Sequence, residues 1–478
     1  MIIARFIVIS FLCIWASSCK APSIVFNTNP LQPLPTQYTD QMPNAGSAEQ
    51  SWRTFFKDSL LISLIDTALV HNLDLLRMQQ RIAVFDAQVL QAQGRLRPFV
   101  AGTGSVGMRR FGKYTMDGVG NFDTNFSTNI SSSQRVPEYL PDFFWGVQSS
   151  WEIDIYKKLR NQRQAAISRY MATLEGRNLL ITHLVSDIAN TYYDLISSDL
   201  ELDFIRATIM LQRSQLDLIR LEKEAGRSTE LAVQQFEAQL LNAQALEKEL
   251  LQQINFDESR INFILGRFSK PVVRNKISFT QLTLPSIDRG SPADLLKNRP
   301  DIRRAEYEVM AAKADVAAAR AAFLPSLNLG GSLGFQAFNP RFILSPHSIA
   351  FNLLGGITAP LVNKTAIQAE FNVRKASQLD ALYNYQQTIL NGYLEVHNQW
   401  VNISNLAQIY DLKTEEAKKL ENAVETASQL YLTGRATYLE ILLNRQNAIR
   451  ANLELIEIKQ QQFNATVTLY RALGGGWR

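Results

Sequence analysis

The side chain in the most distinctive chemical setting is Cys19. It follows Ala16-Ser17-Ser18, three small residues that close an apolar run from Phe6 to Trp15, and Arg5 stands just before that run. A thiol there suits diacylation on sulfur, cleavage of the chain ahead of it and acylation of the new amino terminus. The run has the length of a signal-peptide core and falls short of the roughly twenty residues a spanning helix needs. Residues 1–18 are therefore expected to be a signal peptide, with Cys19 the lipidated first residue of the mature chain. Cys13 leaves with the signal, so one thiol remains and no disulfide framework is available. Lys20 follows, where an Asp would suggest retention in the inner membrane. Several acyl chains anchor far better than one, since each buried methylene contributes about 0.8 kcal/mol.

No other side chains assemble a reaction centre. His71, His183, His347 and His397 are isolated and lack the spacing of a metal-binding helix. The glycine-rich pieces Gly102 to Gly107 and Gly330-Gly331 lie in strand-like segments without the Lys-Ser/Thr that follows a phosphate loop. Asp301 and Glu306 read as surface or interface charges near a strand–helix junction. The chain is expected not to be an enzyme and to carry no cofactor beyond the covalent lipid on Cys19. Its formal charge of +5, +4 once Arg5 leaves, is spread among both signs with no basic cluster interleaved with aromatics, so nucleic acid is not an expected partner. After the signal no apolar run reaches eighteen residues, so a mature chain that crosses a membrane does so as a closed β-barrel.

The positioning elements come in two copies. Ala225-Gly226-Arg227 recurs as Thr433-Gly434-Arg435, Leu265-Gly266 as Leu473-Gly474, and Gln252-Gln253 as Gln460-Gln461, all at an offset of 208 (434 − 226, 473 − 265, 460 − 252). Upstream, Arg97-Pro98-Phe99 matches Leu324-Pro325-Ser326 at an offset of 227 (325 − 98), so the first half carries about nineteen extra residues, as one lengthened loop would supply. Each half reads as helix, strand, loop, strand, very long helix, tight turn, long helix. Expected boundaries are a lipidated linker at 19–58, a first repeat at 59–270, a linker at 271–290 and a second repeat at 291–478.

Heptads run through the long helices: Leu174, Ile181, Ile188, Leu195, Leu202, Ile209 and Leu216 in the first half, then Leu382, Ile389, Val396, Ile403 and Tyr410 in the second. The last helix repeats the pattern with Leu442, Ile449, Ile456, Phe463 and Tyr470. A strict seven-residue period keeps one seam toward a partner. From Lys158 to Glu224 no proline intervenes, which at 1.5 Å per residue is about 100 Å of helix.

Four segments alternate with period two. Phe143, Trp145, Val147, Ser149, Trp151, Ile153 and Ile155 alternate with Gly146, Gln148, Ser150, Glu152 and Asp154. Leu327, Leu329, Leu333 and Phe335 alternate with Ser326, Asn328, Ser332 and Gln336; Ile349, Phe351, Leu353 and Ile357 with Asn352, Gly356 and Thr358. Phe99 to Arg109 is glycine-rich and alternates less clearly. Such lengths cross a bilayer at a barrel's tilt, yet the smallest membrane barrels have eight strands. The chain is thus expected to share its barrel with copies of itself, two giving eight strands and three giving twelve. Gly112 to Asp142 and Phe338 to Ser348 read as exposed hairpin loops.

Trp52 with Phe55-Phe56, Asn72 with Asp74-Leu75, Asn298-Arg299-Pro300-Asp301-Ile302, Phe323-Leu324-Pro325-Ser326, Trp151-Glu152-Ile153-Asp154, Ala359-Pro360-Leu361 and the two Gly-Arg turns stand in a telling order. In that order the sequence resembles the outer membrane factors, the TolC-type exit ducts of efflux and type I secretion, in their lipoprotein branch. The resemblance covers essentially the whole mature chain. It implies a mixed α/β membrane protein: a homotrimer whose twelve-stranded β-barrel, four strands per chain, continues into a long α-helical coiled-coil barrel. It also implies the Gram-negative outer membrane, with the helices in the periplasm. The turns Gly226-Arg227 and Gly434-Arg435 would form the tip that meets a periplasmic adaptor and, through it, an inner-membrane pump. Leu439 falls on an aliphatic ring position of the closed tip and Glu440 near an acidic one; Leu443 occupies a place that is acidic in some relatives, which leaves the charge pattern of that gate open. The function implied is the exit channel of a tripartite efflux system of the resistance-nodulation-division type. The alternatives are a type I secretion duct and a lipid-anchored periplasmic scaffold.

Overall fold

The computed structural model describes residues 21–24, 33–35, 50–275 and 291–478. The expected signal peptide and Cys19 lie outside these residues, as does most of the expected linker at 271–290. The described residues divide into two compact units: 21–24, 84–170 and 308–382 belong to one, and 33–35, 50–83, 171–275, 291–307 and 383–478 to the other.

The elements follow the order the repeats require. A short α1 (Trp52–Phe55) leads to α2 (Ser59–His71) and α3 (Leu73–Gly94), then β1 (Phe99–Arg109), α4 (Met116–Thr124), β2 (Leu140–Ile153) and the long pair α5 (Lys158–Glu224) and α6 (Glu230–Ile264). The second half gives α7 (Asp294–Asn298), α8 (Pro300–Ala321), β3 (Ser326–Ala337), β4 (Ile349–Thr358), α9 (Thr365–Leu432) and α10 (Tyr438–Ala472). The long helices match in length across the halves, 67 residues against 68 and 35 against 35. Among the described residues no single helix is long and apolar enough to cross a membrane; α2 and α3, bent by 41°, pass only as a pair. Leu61, Ile65 and Ala68 of α2 are fully buried core residues.

The four strands form one antiparallel sheet in the order β1-β2-β3-β4. Its register repeats the sequence offsets. Phe99 faces Ser150 in the first hairpin and Ser326 faces Thr358 in the second, partners displaced by 227 and 208 respectively. The nineteen-residue difference therefore falls wholly between the strands, where residues 110–139 connect the first hairpin and 338–348 the second. The register also sorts the faces, because side chains alternate and a one-residue slip would mix them. Val106, Trp145, Val147, Leu333, Phe335, Phe351 and Leu353 share one face, and Ser105, Gln148, Ser332 and Asn352 share the other.

Three local expectations change. The second strand ends at Ile153 rather than Ile155, because the Asp154 carboxylate accepts the backbone N–H groups of Leu159 (3.0 Å) and Arg160 (2.9 Å) and so starts α5. The first hairpin loop is not irregular throughout. It contains α4, which Thr115 caps at its N-terminus, and Asn125 braces it by exchanging two hydrogen bonds of 2.8 Å with the backbone of Val136. Asp301 is no simple surface charge: it accepts two hydrogen bonds from the buried Arg299, at 3.1 and 2.7 Å. Glu306 is exposed, as expected.

The second unit holds the main core, with Trp52, Phe55, Phe56, Tyr192, Phe463 and Tyr470 among its largest side chains. Phe55 stacks on Tyr470 with ring centroids 4.1 Å apart. The α5 seam lies in this unit's interior: Ile181, Ile188, Leu195, Leu202, Ile209 and Leu216 are all buried.

Each half closes on itself at the same place. Gly266 ends α6 at φ +65 with its α-carbon close enough to the His71 carbonyl that an added Cβ would lie 2.5 Å from that oxygen. Gly474 ends α10 at φ +93, and a Cβ there would lie 2.5 Å from the Asn298 carbonyl oxygen. Both positions need left-handed backbone and close approach, so glycine suits them for two reasons.

Candidate functional site: the two helical hairpin turns

The two Gly-Arg turns have one backbone construction. At the end of α5, Arg227 N donates to Glu222 O (2.8 Å) and Gly226 N to Lys223 O (2.9 Å); at the end of α9, Arg435 N donates to Leu430 O (2.8 Å) and Gly434 N to Tyr431 O (2.9 Å). This is the Schellman arrangement, which satisfies the last carbonyls of each helix and places the glycine at positive φ, here +72 and +71. Unlike Gly266 and Gly474, these glycines have open space around the missing side chain. The chain re-enters helix at once: the Thr229 hydroxyl accepts from Ala232 N, and Thr437 opens α10 with a capping box.

That capping box fixes Glu440. Its carboxylate accepts the Thr437 N–H at 2.9 Å, so this side chain satisfies an orphan donor at a helix N-terminus, where negative charge is favoured. Leu439 and Leu443, on the same helix, are 43% and 50% exposed, while Leu442 between them is buried in a local apolar cluster with Leu216, Ile219, Val233 and Phe236. Arg227 and Arg435 are exposed, and among the described residues neither has an ion-pair partner. Of the residues singled out in the sequence, the structure thus leaves two leucines and two arginines free at the turns, and commits the glutamate to a cap.

One contact joining the two hairpins has no sequence signal. The Tyr431 hydroxyl, at the end of α9, donates to Glu222 near the end of α5 at 2.7 Å. Burial and the neighbouring carboxylate push the Tyr431 phenol up to about 12. In the first hairpin, Lys223 and Glu230 bridge the turn as an exposed ion pair. The capping box, by contrast, was readable in Thr437-x-x-Glu440.

The chain thus carries a sheet whose outer strands lack second neighbours among the described residues, and two helical hairpins of one construction, features that its relatives identify as those of an outer-membrane efflux protein. The chain belongs to the outer membrane efflux protein family, whose model matches residues 64–267 and again residues 292–475. Among curated proteins it is similar to the cation efflux system protein CusC of Escherichia coli K12, 25% identical over 94% of each chain. It is likewise similar to the solvent efflux pump outer membrane protein SrpC of Pseudomonas putida, 26% identical over 94% of each. A crystal structure of CusC, in work on its folding and transmembrane channel formation, superposes with a TM-score of 0.80 at 25% identity, covering 95% of this chain and 99% of that one. This chain is accordingly an efflux channel protein of the Gram-negative outer membrane with its helical part in the periplasm.

Proposed function

We propose that three copies close one twelve-stranded barrel and one helical tunnel, and that this trimer is the exit channel of a tripartite efflux system. The observation that carries the reading is the duplicated register. Within the chain the first hairpin joins the second through β2 and β3, with Trp145 opposite Phe335 and Val147 opposite Leu333. Moving that joint by the two repeat offsets pairs β4 with β1 of the next copy, Leu353 opposite Met108 and Gly355 opposite Val106. The projected joint keeps Val106, Met108 and Leu353 on the face of Trp145, Val147, Leu333 and Phe335. It also satisfies two edges that lipid cannot, since an unpaired backbone group there costs several kcal/mol.

The helices support the same operation. In the chain, α8 meets α5 through Arg303 and Glu175 at 2.7 Å. The corresponding positions are Leu76 on α3 and Tyr383 on α9, both exposed. A neighbouring copy would cover both. A lipid-anchored scaffold gives no reason for Val106, Phe351 and Leu353 to be about four-fifths exposed on one sheet face.

A Met108→Cys, Leu353→Cys double variant should oxidise to a covalently closed trimer on denaturing gels, whereas Met108→Cys with Leu354→Cys should not. Efficient crosslinking of the second pair alone would overturn the register and the closed ring built on it.

At the tip, the turns with Arg227 and Arg435 form the contact surface for a periplasmic adaptor, and through it an inner-membrane pump supplies the energy. Three copies of Leu439 and Leu443 near the axis would narrow and dewet the lumen, with the Glu440 ring drawing cations. Single-channel recording tests this: Leu439→Ser and Glu440→Ala should each change conductance, and no change in either would remove the gate. Cys19 carries the lipid that holds the N-terminus at the membrane. Cation and solvent efflux in the relatives makes small solutes the cargo class; photo-crosslinking from Arg227 and Arg435, followed by identification of the co-purified pump, separates this from polypeptide secretion.

A further inference from the structure

The described residues nearest Cys19 rest on the second half of the chain. Ala21 packs against an apolar cluster of Val316 and Phe323 at the end of α8 and Phe371 near the start of α9, with Ala319 and Ile367 at its margin. Phe323 and Phe371 meet edge to face, centroids 5.9 Å apart and planes at 88°. The corresponding first-half positions are Val89, Leu96 and Arg163, two of them half-buried aliphatics and the third a charged residue. The first half therefore lacks this seat, and Ala21 takes the second.

Beside the cluster lies a groove of about 260 Å³ with an apolar wall of Ile155, Tyr156, Leu324, Pro325, Pro360 and Ile367 and polar lining from Glu152, Asp154, Lys158, Ser326 and Thr358. Ile367 belongs to both cluster and groove. The charged residues that line it are paired within the chain, Glu152 with Lys158 at 2.5 Å and Asp154 with Arg160 at 3.1 Å, so each charge there has a partner. The adjoining Val362 is 87% exposed, continuing the apolar surface outward at the base of β4.

We infer that an acyl chain carried on Cys19 lies in this groove, between the Phe323–Phe371 cluster and the base of β3 and β4. The inference rests on the reading of Cys19 as the lipidated residue. Two residues span at most about 7 Å, so the start of a chain on the Cys19 sulfur falls beside the cluster that Ala21 touches. A methylene chain would lie along the apolar wall formed by Ile155, Tyr156, Leu324, Pro325, Pro360 and Ile367. The lipid then does more than tether. It seats the N-terminal segment on the strand–helix junction and, in a trimer, places three lipids at equivalent points, each against the second half of its own copy.

The test uses the full-length protein from cells fed a fatty acid bearing a mid-chain diazirine. After purification, illumination and digestion, mass spectrometry maps the label. The expected result is label attached through Cys19 with crosslinks in residues 316–326 and 359–371 or at Ile155 and Tyr156, and few in residues 89–99. Crosslinks spread equally over both halves, or captured by free lipid alone, would overturn the seat while leaving lipidation intact. An N-terminal peptide without label would sink the lipidation reading and this inference with it. Ile367→Trp should fill the groove and cut crosslinking severalfold while Cys19 stays acylated and the trimer assembles; undiminished crosslinking in that variant also overturns the seat.

Discussion

The two halves close the same joint with different side chains. In the first, Asn72 Nδ2 donates to the carbonyl of Ile264, the last residue of α6, at 2.8 Å; in the second, Arg299 Nη1 donates to the carbonyl of Ala472, the last residue of α10, at 2.5 Å. The four residues are related by the repeat offsets, so one backbone arrangement is served once by a neutral amide and once by a guanidinium. The amide completes its work locally, accepting from Asp74 N and Leu75 N at 3.0 Å to cap α3. The guanidinium recruits a network. It pairs bidentately with Asp301 and binds Glu395 of α9 at 2.9 Å, and Arg471 holds the other Glu395 oxygen at 3.0 Å. Duplication preserved the backbone geometry, and divergence decided how much of the surroundings each joint controls.

The largest expected difference between the joints follows from that network. Arg299→Ala leaves Asp301, Glu395 and a terminal carbonyl without their donor, and breaking such a pair costs about 3–5 kcal/mol. Asn72→Ala removes neutral hydrogen bonds and should cost about 1–3 kcal/mol. Loss of helical circular dichroism on heating, at one scan rate, ranks the two. If Asn72→Ala proved as damaging as Arg299→Ala, the charged network would add nothing to the shared geometry.

Glycines sharpen the comparison, because here the halves should agree. Gly266→Ala and Gly474→Ala both meet a carbonyl oxygen at 2.5 Å in addition to a positive φ, and each should destabilise by roughly 2–3 kcal/mol. At the tip, Gly226→Ala and Gly434→Ala meet open space and should cost only the backbone term, about 1 kcal/mol. The same melts report all four; a tip variant as damaging as a joint variant would mean that steric closeness is not what separates these sites.

The pattern of legibility has a physical cause. The repeat is visible in the sequence because turns require glycine at positive φ, and that requirement persists while helix surfaces drift. The strands are visible because lipid and water select opposite faces. The equivalence of Asn72 and Arg299 is not visible, since the two residue types share only a donor, and its meaning depends on which carbonyl lies opposite. Asp301 is only partly legible for the same reason: the sequence offers a surface or interface charge, and its pairing with Arg299 emerges only once the arginine is seen to be buried. The Tyr431–Glu222 contact spans the two halves, and no spacing rule reaches across them. For Glu440 the capping signature and the gate position coincide in one residue, and geometry shows that the cap is made.

The smallest expected effect is at the tip, where the halves differ again. Tyr431 and Lys223 occupy corresponding positions, but the tyrosine reaches across to Glu222 whereas the lysine pairs with Glu230 across its own turn. Tyr431→Phe removes one hydrogen bond to a carboxylate, worth about 1–2 kcal/mol, and should raise amide exchange at the ends of α5 and α9 while leaving the joint at Asn72 and Arg299 protected. Glu230→Gln should change exchange little, because solvent screens so exposed a pair. The pH dependence distinguishes the two further. A phenol raised from its ordinary value near 10 to about 12 stabilises the contact fully below pH 10 and loses that contribution as pH rises through 12. Glu230 is held below its ordinary value by Lys223, so its smaller contribution is present at neutral pH and lost on acidification. Tip exchange that quickens on the alkaline side in the native protein, but not in Tyr431→Phe, would assign the bond between the hairpins to the tyrosine. Identical profiles in both would leave the apolar cluster around Leu442 and Phe236 as what holds the two hairpins together.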